Sequence, residues 1–254
     1  MDHFQFQPWF PTGIKHIIAA GASNYVAVVD EHTVLKFPIV SPQEDGVYSE
    51  KGRAYRKNAG ERAVIGLEIE EKILNTLGHH PRIIQLRQQY LRDIDPDTSL
   101  EQRLKWASQA AEGLAYIHSK NVLHCDISVG NLLLDTDLNI KLSDFQGRLQ
   151  HPDGTVFIDG GAAESTMSSM PRLDRNYCDY KTDIFALGTA IYQMMKGHPP
   201  FTDLDPVDDE DEIQRRFKDG ELPALGDNWG DDVIWKCWAG GYESATEVVR
   251  DLQK

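Results

Sequence analysis

Cysteine is scarce in this 254-residue chain: Cys125, Cys178 and Cys237 are all it has. Three thiols so widely spaced offer neither a disulfide framework nor a paired zinc knuckle, and they point to reduced thiols in the cytosol or nucleus. Long apolar runs are missing as well. No stretch reaches the roughly 18 residues of a spanning helix. The start, Met1-Asp2-His3-Phe4, has no positive-then-apolar pattern of a signal peptide. The expectation is a soluble intracellular protein with no membrane partner. Positive charge is in short supply: 26 Lys and Arg stand against 40 Asp and Glu, a formal net charge of -14. Such a surface repels polyanions, so nucleic acid is not an expected partner. The 41% hydrophobic content is enough for a real core.

Strand signals come first. Ile17 to Asn24 ends in small residues that allow a tight turn, and Tyr25-Val26-Ala27-Val28-Val29 and Thr33-Val34-Leu35-Lys36-Phe37 flank Asp30-Glu31-His32 as a hairpin. Ser41 to Gly60 is polar and reads as a loop or mobile insertion. Ile65, Ile69, Ile73, Leu74 and Leu77 then recur at helical spacing, with Gly78 as a stop and Pro81 beyond it. Between Pro81 and Ser99 the pattern is poor: Ile83-Ile84-Gln85-Leu86 suits a strand and Asp95-Pro96-Asp97 a turn.

Helices dominate the rest. Ser99 to His118 carries one apolar stripe and a capping pair, Ser99 with Gln102. Asp183 to Met195 is mostly apolar and should be buried all round. Asp211 to Lys218, Asp231 to Trp238 and Ser244 to Leu252 read as three shorter helices. The acidic run Asp203 to Glu212 reads as a solvated face, with recruitment of basic substrates as the functional alternative. Strands followed by helices suggest a small sheet-rich lobe joined to a larger helical one.

Chemistry concentrates in His124-Cys125-Asp126-Ile127-Ser128-Val129-Gly130-Asn131. After a predicted hairpin of Leu132-Leu133-Leu134 and Ile140-Lys141-Leu142 comes Asp144-Phe145-Gln146-Gly147. An Asp that accepts a hydroxyl proton, an Asn that binds a metal and a second Asp for a phosphate-bridging metal are what positional, electrostatic phosphoryl transfer requires. Upstream, Lys36 ends its strand, Glu70 sits on the next helix, and Gly21-Ala22-Ser23-Asn24-Tyr25-Val26-Ala27-Val28 precedes both.

In these motifs and their order the chain resembles the eukaryotic-type protein kinase family, in its serine/threonine or tyrosine-kinase-like branch. The resemblance runs from about Ile14 to Leu252. It implies an α+β, bilobal fold: a small antiparallel β lobe with one helix over about 14–94, and a larger, mainly helical lobe over about 95–252, behind a 1–13 extension. It implies ATP and Mg²⁺ as cofactors and a protein substrate with a hydroxyl acceptor, Ser or Thr before Tyr. The catalytic set carried over is Asp126, Lys36, Glu70 and Asn131; Gly21, Ser23, Val28 and Lys36 would bind nucleotide, and Asn131 and Asp144 would hold metal. Asp183 would anchor the catalytic-loop backbone, Gly197-His198-Pro199-Pro200-Phe201 would leave its helix, and Trp235 and Trp238 would pack the core.

Several positions depart from that pattern. Ser23 and Val26 replace the later glycines of the phosphate-covering loop, which hinders close backbone approach. Cys125 replaces an arginine, so the bidentate clamp on a phosphorylated activation loop is lost. Hydroxyls for such modification are nonetheless present at Ser165, Thr166, Ser168 and Ser169. Ser128 replaces a lysine that would stabilise transferred charge, and Gln146 replaces a glycine in the metal loop. Arg172 stands where a glutamate is usual, and a reversed ion pair with Glu243 is expected. The stretch from Pro81 to Ser99 holds one strand but is too short for a second strand and an adenine hinge. Two readings stay open on that account: an active kinase, or a kinase-like binding module or shortened form that does not transfer phosphate.

Overall fold

The β-branched runs near the start pair as a three-stranded antiparallel sheet of β1 (His16–Ala20), β2 (Asn24–Asp30) and β3 (Thr33–Pro38), with β2 in the middle. Val26 faces Lys36 and Val28 faces Val34 across β2 and β3, while Ile17 faces Ala27 across β1 and β2. Ala27 and Phe37 are its buried side chains. This computed structural model describes residues 11, 13–21, 24–30, 33–38, 50–84, 89–90, 97–226 and 229–254. The chain divides into two compact units, Met1–Glu71 and Lys72–Lys254.

Helix α1 (Glu50–Leu77) begins well before the apolar stripe that announced it, so the expected loop from Ser41 to Gly60 is helical from Glu50 onward; residues 41–49 lie outside the described residues. Glu, Lys, Arg and Ala between Glu50 and Gly60 are straight-chain or small helix formers. They outweigh Gly52 and Gly60, each worth about 1 kcal/mol against the helix. The buried stripe is Ala63, Ile69, Ile73 and Leu77, and Ile65, expected within it, is 55% exposed. Gly78 ends the helix at φ +60°, donating its N–H to the Leu74 carbonyl at 2.9 Å.

The second unit is built on α2 (Leu100–Ser119), whose Ser99 cap accepts from the Gln102 N–H at 3.2 Å. Its buried face carries Trp106, Ala107, Ala110, Ala111, Leu114 and Ile117. Two small antiparallel sheets accompany it: β4 (Gln89–Tyr90), β6 (Leu132–Leu134) and β7 (Ile140–Leu142) in one, with β5 (Val122–Leu123), β8 (Arg148–Gln150) and β9 (Val156–Asp159) in the other. The predicted hairpin is β6 and β7, with Leu133 opposite Lys141. Of the poorly patterned stretch, Ile83 bridges in parallel to Leu142 and Gln89–Tyr90 pairs with Leu134 and Leu133. Residues 85–88 and 91–96, where the short hinge and most of the Asp95-Pro96-Asp97 turn were expected, lie outside the described residues.

Helix α3 (Tyr180–Lys196) is buried at every position from Thr182 to Tyr192, in line with its apolar sequence. A capping box starts it: the Asp179 carboxylate accepts from the Thr182 N–H at 2.9 Å, and the Thr182 hydroxyl accepts from the Asp179 N–H at 3.1 Å. Then come α4 (Glu210–Asp219), α5 (Trp229–Trp238) and α6 (Ala245–Leu252). A Cβ at Gly188 of α3 would sit 2.5 Å from the Cys237 Cβ, so glycine there lets α3 and α5 close together. Trp238 packs in this contact and donates its indole N–H to the Thr189 hydroxyl at 3.0 Å. Trp235 does not: Val233, Ile234, Cys237 and Trp238 take the inward stripe, and Trp235, one step round the helix, is 54% exposed. Within the acidic run, Asp203 and Glu212 accept from Arg216 and Arg215. Among the described residues no helix is long and apolar enough to cross a membrane.

Removing the cap tests the α3 start. Asp179→Ala should lower stability by about 1 kcal/mol, read as a lower urea midpoint at unchanged slope.

Candidate active site

The loop between β5 and β6 is short and tied down by hydrogen bonds. Asn131 closes it: its side-chain N–H groups donate to the Asp126 carboxylate at 2.9 Å and to the Asp126 main-chain carbonyl at 2.8 Å, and its own N–H bonds the Ser128 carbonyl at 3.0 Å. Ser143, at the end of β7, donates both its N–H and its hydroxyl to the Asn131 carbonyl, each at 3.0 Å. The loop before Asp144 and the loop holding Asp126 therefore share one anchor residue.

A second anchor comes from α3. Asp183 is 0% exposed, and its carboxylate accepts from the His124 N–H at 2.8 Å, the Cys125 N–H at 2.9 Å and the His118 ring at 2.9 Å. This is the role the sequence assigned to it. Cys125 and Asp144 both adopt positive φ, +60° and +64°, a conformation that costs energy for residues with a Cβ and persists only where surroundings hold it. Asp183 supplies that hold at Cys125. Near Asp144, the His124 ring donates to the Ser143 carbonyl at 2.9 Å and packs against Phe145, which is fully buried. Glycine is required at 147, since a Cβ there would lie 2.2 Å from the Leu123 carbonyl oxygen.

Electrostatics follow from burial. Burial pushes the Asp126 carboxyl up, the Asn131 hydrogen bond opposes this, and the negative charges of Asp144, Glu164 and Asp183 add to the rise; the outcome is a pKa of about 7. For Asp183 burial also pushes upward, but the His118 hydrogen bond and charge, with the His124 charge and N–H, outweigh it and hold the carboxyl below its ordinary value. Asp144 accepts from the Gln146 side-chain amide at 2.9 Å, so the residue that replaces a glycine holds the metal-loop carboxylate from its own side chain.

The donor atoms fit a hard cation. With its amide nitrogen committed to Asp126, Asn131 has its oxygen to offer, and Asp144 has a carboxylate. Among the described residues no cluster of three or more His, Cys, Asp or Glu could cage a metal. Two oxygen ligands suit Mg²⁺, which keeps several waters and takes substrate phosphate oxygens.

In the first unit, Lys36 of β3 donates to Glu70 of α1 at 2.7 Å, both partly buried. Gly21 donates its N–H to the Asn24 carbonyl at 2.8 Å in the turn between β1 and β2, and Val28 lies in the middle strand. Ser23 lies outside the described residues.

The expected Arg172–Glu243 pair does not form. Arg172 donates instead to Glu164 at 2.9 Å, with side chains 7% and 2% exposed, and Glu243 takes Lys181 at 2.8 Å. Tyr242, next to Glu243, donates to Asp251 at 2.9 Å. The segment between Glu164 and Arg172 turns back on itself, and nothing in its composition announces that. The Asn131–Asp126 and Gln146–Asp144 bonds also went unforeseen, although both join residues already suspected.

Residues 87–229, more than half of the chain, match the protein kinase domain, and the chain belongs to the protein kinase family. The matched span contains Asp126, Asn131 and Asp144, and begins after Lys36 and Glu70. Small antiparallel sheets with six helices among the described residues are that family's α+β fold. Among relatives, the chain is 27% identical over 218 residues to the serine/threonine-protein kinase PKH3 of Eremothecium gossypii, an alignment covering 74% of this chain and 30% of that protein. It is 25% identical to rhodopsin kinase grk7-a of Xenopus laevis, covering 68% and 34%. It is 36% identical over 98 residues to the serine/threonine-protein kinase pakF of Dictyostelium discoideum, covering 38% and 8%. The chain spans about a third or less of the length of these curated relatives.

The Asp183 anchor has a pH signature. Because its folded pKa lies below the ordinary 3.8, the stability it contributes is complete above that value and is lost as pH falls through the folded pKa. Asp183→Asn should cost about 3 kcal/mol at neutral pH. The gap between variant and wild-type urea midpoints should narrow on acidification below the ordinary value.

Proposed function

We propose that this protein is an ATP-dependent kinase that transfers the γ-phosphate of ATP to Ser or Thr hydroxyls of protein substrates, with Mg²⁺. The observation that carries the reading is the Asp126–Asn131 pair. Its two hydrogen bonds orient a carboxylate as proton acceptor and, by the same bonds, direct an amide oxygen to a cation. When bound, Mg²⁺ would offset the negative charge of the phosphate groups. Asn131 and Asp144 would hold it. Lys36, held by Glu70, would supply a fixed cation for the α- and β-phosphates, and Gly21, Ser23 and Val28 are the positions we assign to nucleotide binding.

The relatives PKH3 and pakF, both serine/threonine-protein kinases, support Ser/Thr over Tyr as acceptor. Ser128 in place of a lysine removes one cation from the transferred phosphate, so turnover should be slow. We take 14–252 as the catalytic domain, with a small lobe over about 14–94 and a large lobe over about 95–252, and the cytosol or nucleus as its setting, where three free thiols stay reduced. The short Pro81–Ser99 stretch favours the second reading, a kinase-like module that binds partners without transferring phosphate.

Purified protein incubated with labelled ATP, Mg²⁺ and a generic basic protein separates the two. Transfer should fall by about 10²- to 10⁴-fold in Asp126→Asn, and a chelator should abolish it until Mg²⁺ is restored. No transfer, together with no thermal stabilisation by Mg-ATP, would sink the enzyme in favour of the binding module.

A further inference from the structure

Phosphoryl transfer as proposed uses no thiol, yet the fold brings two of the three cysteines together beside the catalytic base. Cys125 immediately precedes Asp126, and Cys178 immediately precedes the Asp179 cap of α3. They are 1% and 6% exposed and form one small buried cluster with Leu123, covered by Ala162 and Tyr180. Within it the Cys125 and Cys178 side chains pack together, close enough for each thiol to act on the other. We propose that Cys125 and Cys178 are a redox pair that closes to an intramolecular disulfide on exposure to a hydroperoxide, joining the catalytic loop to the start of α3.

Both sulfurs are carried on backbone that is already held. The Cys125 N–H is fixed by Asp183 of α3, and its carbonyl accepts from the Ala163 N–H at 3.0 Å. Cys178 adjoins a helix start locked by its capping box. Two groups held in contact by three segments have given up the freedom that otherwise opposes closing a long loop. A buried lone thiol is ordinary packing; a buried pair of thiols so held is poised to cross-link.

The pair is also asymmetric. Contact with Cys125 pulls the Cys178 pKa down; burial and the Glu164 charge oppose it, and the guanidinium charges of Arg148 and Arg172 reinforce it. Cys125 moves the other way, through its contact with Cys178, its burial and the Asp183 charge. Cys178, the more exposed of the two, is thus the attacking sulfur and Cys125 the resolving one. Cys237 has neither a thiol partner nor a compensating charge: burial alone pushes its thiol up, deep in the contact between α3 and α5.

The chemistry balances with hydrogen peroxide as oxidant. The Cys178 sulfur attacks one peroxide oxygen, the O–O bond breaks, and the thiol proton leaves with the displaced oxygen as water, giving a sulfenic acid. The Cys125 sulfur then attacks the Cys178 sulfur, the S–O bond breaks, and the Cys125 proton completes a second water. Two thiols lose two electrons and two protons, and the peroxide is reduced to two waters. This site rests on sulfur chemistry and stands whether or not the chain transfers phosphate.

The test uses the full chain, reduced, freed of reductant, treated with hydrogen peroxide, unfolded in N-ethylmaleimide and digested without reductant for mass mapping. The Cys125 and Cys178 peptides should leave the alkylated pool together and reappear as one linked species lacking two hydrogens, which dithiothreitol reverses, while Cys237 stays alkylated. In Cys125→Ser, Cys178 should advance to sulfinic acid for want of a resolving partner; in Cys178→Ser, Cys125 should remain alkylated. Should a variant fail to fold, the wild-type map decides alone. The pair is overturned if both thiols remain alkylated in the wild type, if Cys178 is over-oxidised while Cys125 stays reduced, or if either links to Cys237 or to a second chain.

Discussion

One buried carboxylate organises the second unit. Asp183 sits on α3, buried at every position from Thr182 to Tyr192, and takes three hydrogen bonds, two of them from the backbone of the loop that carries Asp126. A charge with no exposure survives only where its lone pairs are filled and opposite charge is near. His118 on α2 and the N–H groups of His124 and Cys125 meet both needs. Because the same bonds hold Cys125 at a positive φ, the position of Asp126 depends on α3, and α3 in turn on its capping box and on the glycine that lets α5 close against it.

Acidic groups then shape the site collectively. The charges of Asp144, Glu164 and Asp183 all act on Asp126, and the chain treats each of these groups differently. Asp183 keeps its charge through histidine, Glu164 is buried against Arg172, Asp144 is held by a side-chain amide, and Asp126 is left with a raised pKa and one strong hydrogen bond. A surplus of buried negative charge is unfavourable for a bare protein and is what a site for a divalent cation requires.

Much of this was legible from residues that act locally. Ser99 and Gln102 marked the α2 start, and the continuous apolar run after Asp183 marked a helix buried on all sides, because capping and amphipathicity are short-range properties. The failures have separate causes. The start of α1 was misread because polar, straight-chain residues make helix as readily as loop. Trp235 was misplaced because an aromatic at the edge of a stripe can fall on either side of it. Arg172 was given the wrong partner because a salt bridge depends on where two distant segments come to lie.

The sequence by itself pointed to the family and to the order of its main strands and helices, and marked out Asp126, Asn131, Asp144, Lys36 and Glu70 as candidates, since spacing along a chain is enough to suggest a motif. Only the tertiary structure decided which atoms meet: the bond from Asn131 to Asp126, the turn of Glu164 back onto Arg172, and the contact of Cys125 with Cys178. Three cysteines scattered along a sequence imply no pairing. Two of them become neighbours because a buried aspartate draws the catalytic loop onto α3, and packing of that kind leaves no periodic trace in the chain.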